Sequence, residues 1–372
     1  MTDHSTLPLI DAHTHMRAIG SVANQSNVMD ACHLTAVNAL SMAARGGMNI
    51  NQNVLVALFK AERPGRVYGF GGLHHEAPAV DPLRPDFAGQ LRRLRDLGFD
   101  GVKMIEGKPS VYKPLATPLN DPLYDEFYGL LEAWRMPVLL HVGDPAGMWD
   151  TVNPPAWAVQ RGWVYGDGTY PTLEELYAQV TDVLDRHPSL RLILAHFAFL
   201  DGDRDRCAVM FDRWSGLAFD LTPGWGMYGS FSKDPAAWRD FFIRYADRIL
   251  FGTDNSGGRT PNDPEKVDTG SKRIAAMRRC LELTGEVEGF AGGSRYRGLG
   301  LPSDVLAMIY AGNFRRYAGD RPRPVDLPAV LEHCRDLLDL ARGAGADEET
   351  LTDMTAILQR LERAVQFQGA RP

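Results

Sequence analysis

Leu9-Ile10-Asp11-Ala12-His13-Thr14-His15 is the stretch on which the fold turns. Its first five residues read as a short strand, and it runs out into two imidazoles one residue apart. The same pattern, an apolar run ending on a polar or ligating side chain, returns down the chain. Strands are predicted at Ala36 to Met42 (the weakest), Val67-Tyr68-Gly69-Phe70, Gly101-Val102-Lys103-Met104-Ile105 and Pro137-Val138-Leu139-Leu140-His141. Three more follow at Leu192-Ile193-Leu194-Ala195-His196, Leu217-Ala218-Phe219-Asp220-Leu221 and Ile249-Leu250-Phe251-Gly252-Thr253-Asp254. Several are continuously apolar, as strands of a parallel sheet covered on both faces are.

Helical patterns separate them. Phe87, Leu91 and Leu94 share one face of a helix over Asp86 to Leu97, with Gly98 as its stop. Asp121-Pro122 reads as an N-cap followed by proline in the first turn. Thr172 and Glu175 fit a capping box ahead of an apolar face that includes Leu176, Val180 and Leu184. Strand–helix alternation repeated eight times predicts an α/β chain folded as a (β/α)8 TIM barrel. An open doubly wound sheet is the alternative, but no GxGxxG turn follows the first strand.

The predicted division is a barrel over residues 1–324 and a C-terminal helical extension over 325–372, packed on the barrel exterior or at a subunit contact. Its two amphipathic helices are broken at Gly343-Ala344-Gly345. A homodimer is compatible with that surface. Two connections exceed ordinary turns. Gly143 to Pro171 carries Trp149, Trp157, Trp163 and Tyr165, and Asn255 to about Leu301 carries Lys266, Lys272, Arg295 and Arg297. Such loops either cover a site or form solvated insertions.

Composition narrows the functional classes. The chain has 372 residues, 44% hydrophobic and 23% charged, which is ordinary globular usage. A net charge of -7 argues against a non-specific nucleic-acid binder, which needs a basic face. Cys32, Cys207, Cys280 and Cys334 are far apart and form no CxxC, so reduced thiols and a cytoplasmic setting are expected. No run approaches the roughly 18 apolar residues of a membrane span, and no stretch near Met1 has the apolar core of a signal segment. The expected partner is a small-molecule substrate, with no nucleic acid and no membrane.

In a strand, residues i and i+2 point to one side, so His13 and His15 are neighbours about 6.6 Å apart along the chain. Two imidazoles at that spacing can converge on one cation at about 2.0–2.1 Å. His141, His196 and Asp254 each close a predicted strand. In a barrel all strand C-termini open on one face. Five side chains of metal-ligand type are therefore predicted to meet at one mouth.

These residues carry a resemblance. Ile10-Asp11-Ala12-His13-Thr14-His15, Leu140-His141, Leu194-Ala195-His196-Phe197 and Phe251-Gly252-Thr253-Asp254 resemble the amidohydrolase superfamily. The nearest likeness is to the amidohydrolase-related branch that includes aminocarboxymuconate semialdehyde decarboxylase, resorcylate decarboxylases and small lactonases. Ile309 to Arg316 is similar to the family's closing helix. The resemblance covers about Leu9 to Gly319. It implies that His13, His15, His141 and Asp254 bind one divalent ion and that His196 lies beside the open coordination position. Zinc suits that donor set, and manganese or iron also fit.

The resemblance implies two chemistries. The first expectation is hydrolysis of a small amide, ester or lactone by a metal-activated water, with Asp254 and His196 as acid/base groups. The alternative is non-oxidative decarboxylation of an aromatic or unsaturated carboxylic acid. Lys103 has three readings: a partner for a substrate carboxylate or carbonyl, a carboxylated bridge between two metals, or a structural charge paired with Glu106. Arg17 reads as a bidentate clamp for an acid or as a solvated charge. His74 or His75 is a substrate contact or a loop residue. Trp163, Tyr165 and Trp225 read as an apolar wall or as packing.

Overall fold

In the computed structural model, which describes residues 4, 6–43, 50–75, 85–224, 226–290 and 293–369, the first strand, β1 (Ile10–His15), has a parallel neighbour on each side. On one side lie β2 (Ala36–Leu40), β3 (Val67–Gly72), β4 (Gly101–Gly107), β5 (Val138–Val142), β6 (Leu192–Leu194), β7 (Leu217–Asp220) and β8 (Ile249–Leu250), each hydrogen-bonded to the next. On the other side lies β9 (Asn255–Ser256). β8 and β9 are two ends of one segment. The first pairs with β7 and the second with β1, so this segment closes the cylinder. Backbone bonds along the seam complete it: Ala12 N–H to the Phe251 carbonyl at 2.9 Å, Asp254 N–H to His13 at 2.8 Å and Gly257 N–H to His15 at 3.0 Å. The fold is a TIM barrel.

The predicted eighth strand is thus split, because Asp254 takes a left-handed backbone conformation, φ 60°. The predicted sixth strand stops at Leu194, and Ala195–Phe199 forms a tight turn. The second strand, weakest in sequence, is fully formed over Ala36–Leu40.

Alternation sorts the strand residues into two layers. Ile10, Ala36, Leu40, Tyr68, Phe70, Leu139, Ile193, Ala218 and Leu250 fill the barrel interior, joined by Phe314 and Tyr317. Val37, Val67, Val102, Met104, Val138, Leu192, Phe219 and Ile249 face the helices. β1 breaks this alternation, with a register shift between Asp11 and Thr14. Such a bulge re-aims the side chains that follow it. Ala12 belongs to the inner cluster, and His13 directly after it also turns inward, onto Asp220.

The predicted helix signals have structural counterparts. The Asp86 side chain caps the helix Phe87–Asp96 through Gly89 N–H, and Thr172 with Glu175 forms a complete capping box on Leu173–Arg186. All four cysteines are free. The helices Leu327–Gly343 and Glu348–Gly369 pack on each other and on Gln52–Glu62. Asp353 accepts a hydrogen bond from Ile19 N–H at 2.7 Å and one from Asn51 at 2.5 Å, and Arg259 pairs with Glu349. The extension is thereby tied to the loop that follows β1. No helix among the described residues is long and apolar enough to cross a membrane.

The two long connections have their own structure. Residues 143–171 pack around Met148, Ala158 and Tyr165, with Trp149, Trp157, Trp163 and Tyr170 against them. Residues 255–301 contain the helix Pro264–Glu282 and an antiparallel hairpin, Thr284–Glu288 with Arg295–Leu299.

Candidate metal centre

Three ligand atoms converge at the barrel mouth. His13 Nε2 and His15 Nε2 are 3.1 Å apart, His15 Nε2 and Asp254 Oδ1 are 2.9 Å apart, and His13 Nε2 and Asp254 Oδ1 are 3.7 Å apart. Donors arranged around a four-coordinate ion at about 2.0–2.1 Å have separations of this order. The tautomers point the same way. His13 Nδ1 is 2.7 Å from Asp220 Oδ2, so the Nδ1 proton is held there and Nε2 presents a lone pair. A lone pair, a second imidazole nitrogen and a carboxylate oxygen meeting in a buried space call for a cation between them. The donor set therefore fits a divalent ion.

Burial tunes these groups. Desolvation lowers the His15 imidazole to about 3 and His196 to about 4, and holds His141 well below its ordinary value. At neutral pH these rings are uncharged, the form that ligates metal. Burial alone would push the Asp220 carboxyl up. Contact with His13 and with the His196 N–H holds it down at about 2. Asp11 is raised to about 7 by desolvation, although its oxygens accept from His13 N–H, Thr253 N–H and the Thr253 hydroxyl.

Asp220, not singled out from the sequence, closes β7 as Asp254 closes the segment after β8. Its two oxygens serve two functions. Oδ2 fixes the His13 ring, and Oδ1 accepts the backbone N–H of His196 at 2.8 Å. An outer carboxylate of this kind orients a ligand and raises its basicity. We predict that Asp220→Asn lowers divalent-metal affinity about 10–100-fold, as read by competition with a fluorescent chelator; unchanged affinity would remove Asp220 from the centre.

His196 sits on an unusual turn. His196, Phe197, Ala198 and Phe199 have φ of 56°, 54°, 53° and 55°, four consecutive non-glycine residues in the left-handed region. This region costs roughly 1–2 kcal/mol per residue. The surroundings over-determine it. Phe197 is stacked or edge-on within 6.0 Å of Phe219, Phe231, Trp238 and Phe242. Tyr177 donates its hydroxyl to the Ala198 carbonyl at 2.6 Å. The His196 ring consequently lies 5.5 Å from His13 and 4.9 Å from His141.

His141 is the exception to the expected ligand set. It is not part of the three-residue cluster; its Nε2 is 3.0 Å from the Gly143 carbonyl and 3.4 Å from Asp144. Asp144 is a second carboxylate that sequence reading missed. Lys108 Nζ is 2.7 Å from its Oδ1, and the Tyr165 hydroxyl donates to its Oδ2 at 2.8 Å. Lys108 holds Asp144, and Asp144 in turn holds His141 through Nε2.

A cavity of about 280 Å³ opens beside the cluster, lined by His15, His141, His196 and Asp254 together with Arg17, Lys103, Lys108, Arg161, Trp163 and Phe199. Lys103 is 2% exposed and close enough to His15 and His196 to act on their protonation. Glu106, three residues on, is engaged elsewhere. It bonds His75 Nε2 at 2.9 Å and the Ile105 N–H at 2.6 Å, so it does not make the structural pair considered for Lys103. His74 does not line this cavity. Its Nε2 faces Asn53 at 3.4 Å, and its backbone bonds Gln90 on both sides, which corrects the expected substrate contact. Of the two readings for the aromatic residues, Trp163 lines the cavity, Tyr165 is buried, and Trp225 lies outside the described residues.

Comparison with known proteins follows this geometry. A gamma-resorcylate decarboxylase of Rhodococcus jostii is 29% identical over 142 residues, 37% of this chain and 40% of that protein. A protein translocase subunit SecA 2 of Streptococcus sanguinis is 25% identical over 229 residues, 50% of this chain and 28% of that protein. The chain thus spans well under half the length of these curated relatives. Among solved structures, an uncharacterised TIM-barrel protein of Bordetella bronchiseptica superposes with a TM-score of 0.50 at 14% identity, over 84% of this chain and 98% of that one. The family model described as Amidohydrolase matches residues 10–317, from the first strand through the helix that plugs the barrel floor. The chain belongs to the amidohydrolase family.

Proposed function

We propose that this amidohydrolase-family enzyme uses one divalent ion, held by His13, His15 and Asp254, to decarboxylate a small aromatic or unsaturated carboxylic acid. The observation that carries this reading is the charge of the cavity. Among the described residues, Arg17, Lys103, Lys108 and Arg161 line it with two carboxylates, Asp144 and Asp254. Asp144 is engaged by Lys108, and Asp254 belongs to the ligand cluster. A carboxylate entering this cavity meets Arg17, Lys103 and Arg161 along its walls, and cations so placed favour an anionic substrate. The likeness to a gamma-resorcylate decarboxylase supports the same reading. Zinc matches the imidazole and carboxylate donors; manganese and iron are the other ions that match.

When bound, the divalent ion supplies Lewis acidity toward a substrate oxygen. The chain's own groups do the rest. Lys103 orients the carboxylate. Trp163 and Phe199 supply apolar walls. Asp254 has 37% of its side chain accessible, and its oxygen turned from His15 can carry a proton from solvent to the substrate. That proton is delivered to the carbon bearing the carboxylate. The bond to the carboxylate carbon then breaks, its electron pair restores the double bond that protonation had opened, and carbon dioxide leaves. His196, neutral at pH 7, acts as a hydrogen-bond donor to developing negative charge.

Hydrolysis of a small amide, ester or lactone is a second reading. The same Asp254 carboxylate can take a proton from water and pass it to a leaving group. The test is carbon dioxide release from a panel of hydroxybenzoates by zinc- and manganese-loaded protein, set against hydrolysis of neutral lactones and esters. We expect acid decarboxylation, and we expect Lys103→Met to lower it about 100-fold, a loss of the size seen when one charge-stabilising donor is removed, with metal content unchanged. Turnover of neutral lactones with no carbon dioxide from any acid would overturn the proposal in favour of hydrolysis.

A further inference from the structure

Beside the main cavity, and sharing His15, Arg17 and Asp254 with it, lies a second cavity of about 240 Å³. Its remaining wall comes from the segment that closes the barrel and from the helix Pro264–Glu282. Among the described residues three cations line it, Arg17, Lys266 and Arg273, with Asp254 as the one acidic side chain, its carboxylate turned toward His15. Ser256 and Thr269 also line it.

The cations are held in place. Arg17 Nε donates to the Ser256 hydroxyl at 3.2 Å. One guanidinium nitrogen of Arg273 donates to the Thr253 and Asp254 carbonyls, each at 3.0 Å, which anchors the group under the ligand loop. The Lys266 stem runs alongside Gly258, where a β-carbon would come within 3.1 Å of it; with φ 70°, that position also favours glycine. Among the described residues Lys266 has no ion pair.

A second, independent observation points to a ligand. Asn255, 5% exposed, lines the cavity, and among the described residues its amide nitrogen has no hydrogen-bond partner. A buried amide donor without an acceptor costs about 1–3 kcal/mol, so an acceptor arriving from the cavity is the group this wall lacks. Fixed guanidinium, ammonium, amide and hydroxyl donors around one small space make an oxyanion site.

We infer that this second cavity binds a second anionic group of the substrate, so that the substrate class is a dicarboxylate or a carboxylate bearing another oxyanion, spanning from Lys103 across the ligand cluster to Arg17, Lys266 and Arg273. The inference rests on the acid-substrate reading given above. It sharpens that reading by adding a requirement for two charges. A free anion bound independently of substrate shares this chemistry, and the test separates the two.

Metal-loaded protein is titrated calorimetrically with benzoate, isophthalate and inorganic phosphate, phosphate both alone and with benzoate present. Isophthalate is expected to bind at least tenfold more tightly than benzoate. Lys266→Gln, a change at an exposed side chain, is expected to abolish that advantage and to leave benzoate affinity unchanged. Phosphate is expected to compete with isophthalate. Benzoate binding without an isophthalate advantage overturns the second subsite and leaves the acid reading standing. Phosphate binding alongside benzoate, again without an isophthalate advantage, overturns the substrate assignment in favour of a separate anion. Failure of all three ligands to bind, with Lys103→Met also without effect on turnover, overturns both readings.

Discussion

His15→Ala is expected to leave a folded barrel that retains no stoichiometric divalent ion and has no measurable turnover. His15 Nε2 is the shared vertex of the cluster, 3.1 Å from His13 Nε2 and 2.9 Å from Asp254 Oδ1. Its loss leaves two donors 3.7 Å apart, too few to hold a cation against water. The backbone of His15 continues to pair with Leu40 and Ser256, so the strand survives. Elemental analysis of the purified variant and its thermal unfolding transition check the two halves. Stoichiometric metal in the variant would refute the ligand assignment.

His196→Asn is expected to keep both fold and metal and to lose about 100- to 1,000-fold in turnover number, the usual cost of removing one donor to a developing oxyanion. Asparagine is chosen because it tolerates the left-handed conformation that His196 adopts at φ 56°. The backbone N–H to Asp220 then remains available, and the positioning of His13 through Asp220 is preserved. Turnover measured with metal content in parallel separates this role from ligation. Unchanged turnover would take His196 out of the chemistry, and loss of the ion would make it a ligand.

The barrel was legible because its strands are apolar runs of about the right length, separated by helices with their own caps. Leu192-Ile193-Leu194 and Val138-Leu139-Leu140 announce themselves by composition. Thr172 and Glu175 do so by spacing. His13, His15 and Asp254 could be brought together on paper because strand ends share one face. What sequence could not show is set by single dihedrals and local competition. The split of the last strand depends on the φ of Asp254. The turn at His196 depends on packing of Phe197 against aromatic residues many positions away. His141 obeys the strand-end rule, yet the neighbouring Asp144 and Gly143 carbonyl claim its Nε2. Asp220 was within reach of the same rule, since it closes β7 at the barrel mouth. His74 and the Glu106 partner depended on which way a side chain leaves β3 and β4, and β4 carries a register shift between Met104 and Gly107 that sequence alone does not announce.

The closing segment gives the barrel a particular history on the ribosome. Until residues 249–256 emerge, β1 and β7 are bare sheet edges, and such edges invite pairing with other chains. The same residues deliver Asp254 to His13 and His15. A nascent chain therefore cannot assemble this candidate metal-binding triad before its last exposed edges have been sealed. Maturation of the catalytic pocket and protection from aggregation become one late event in biosynthesis.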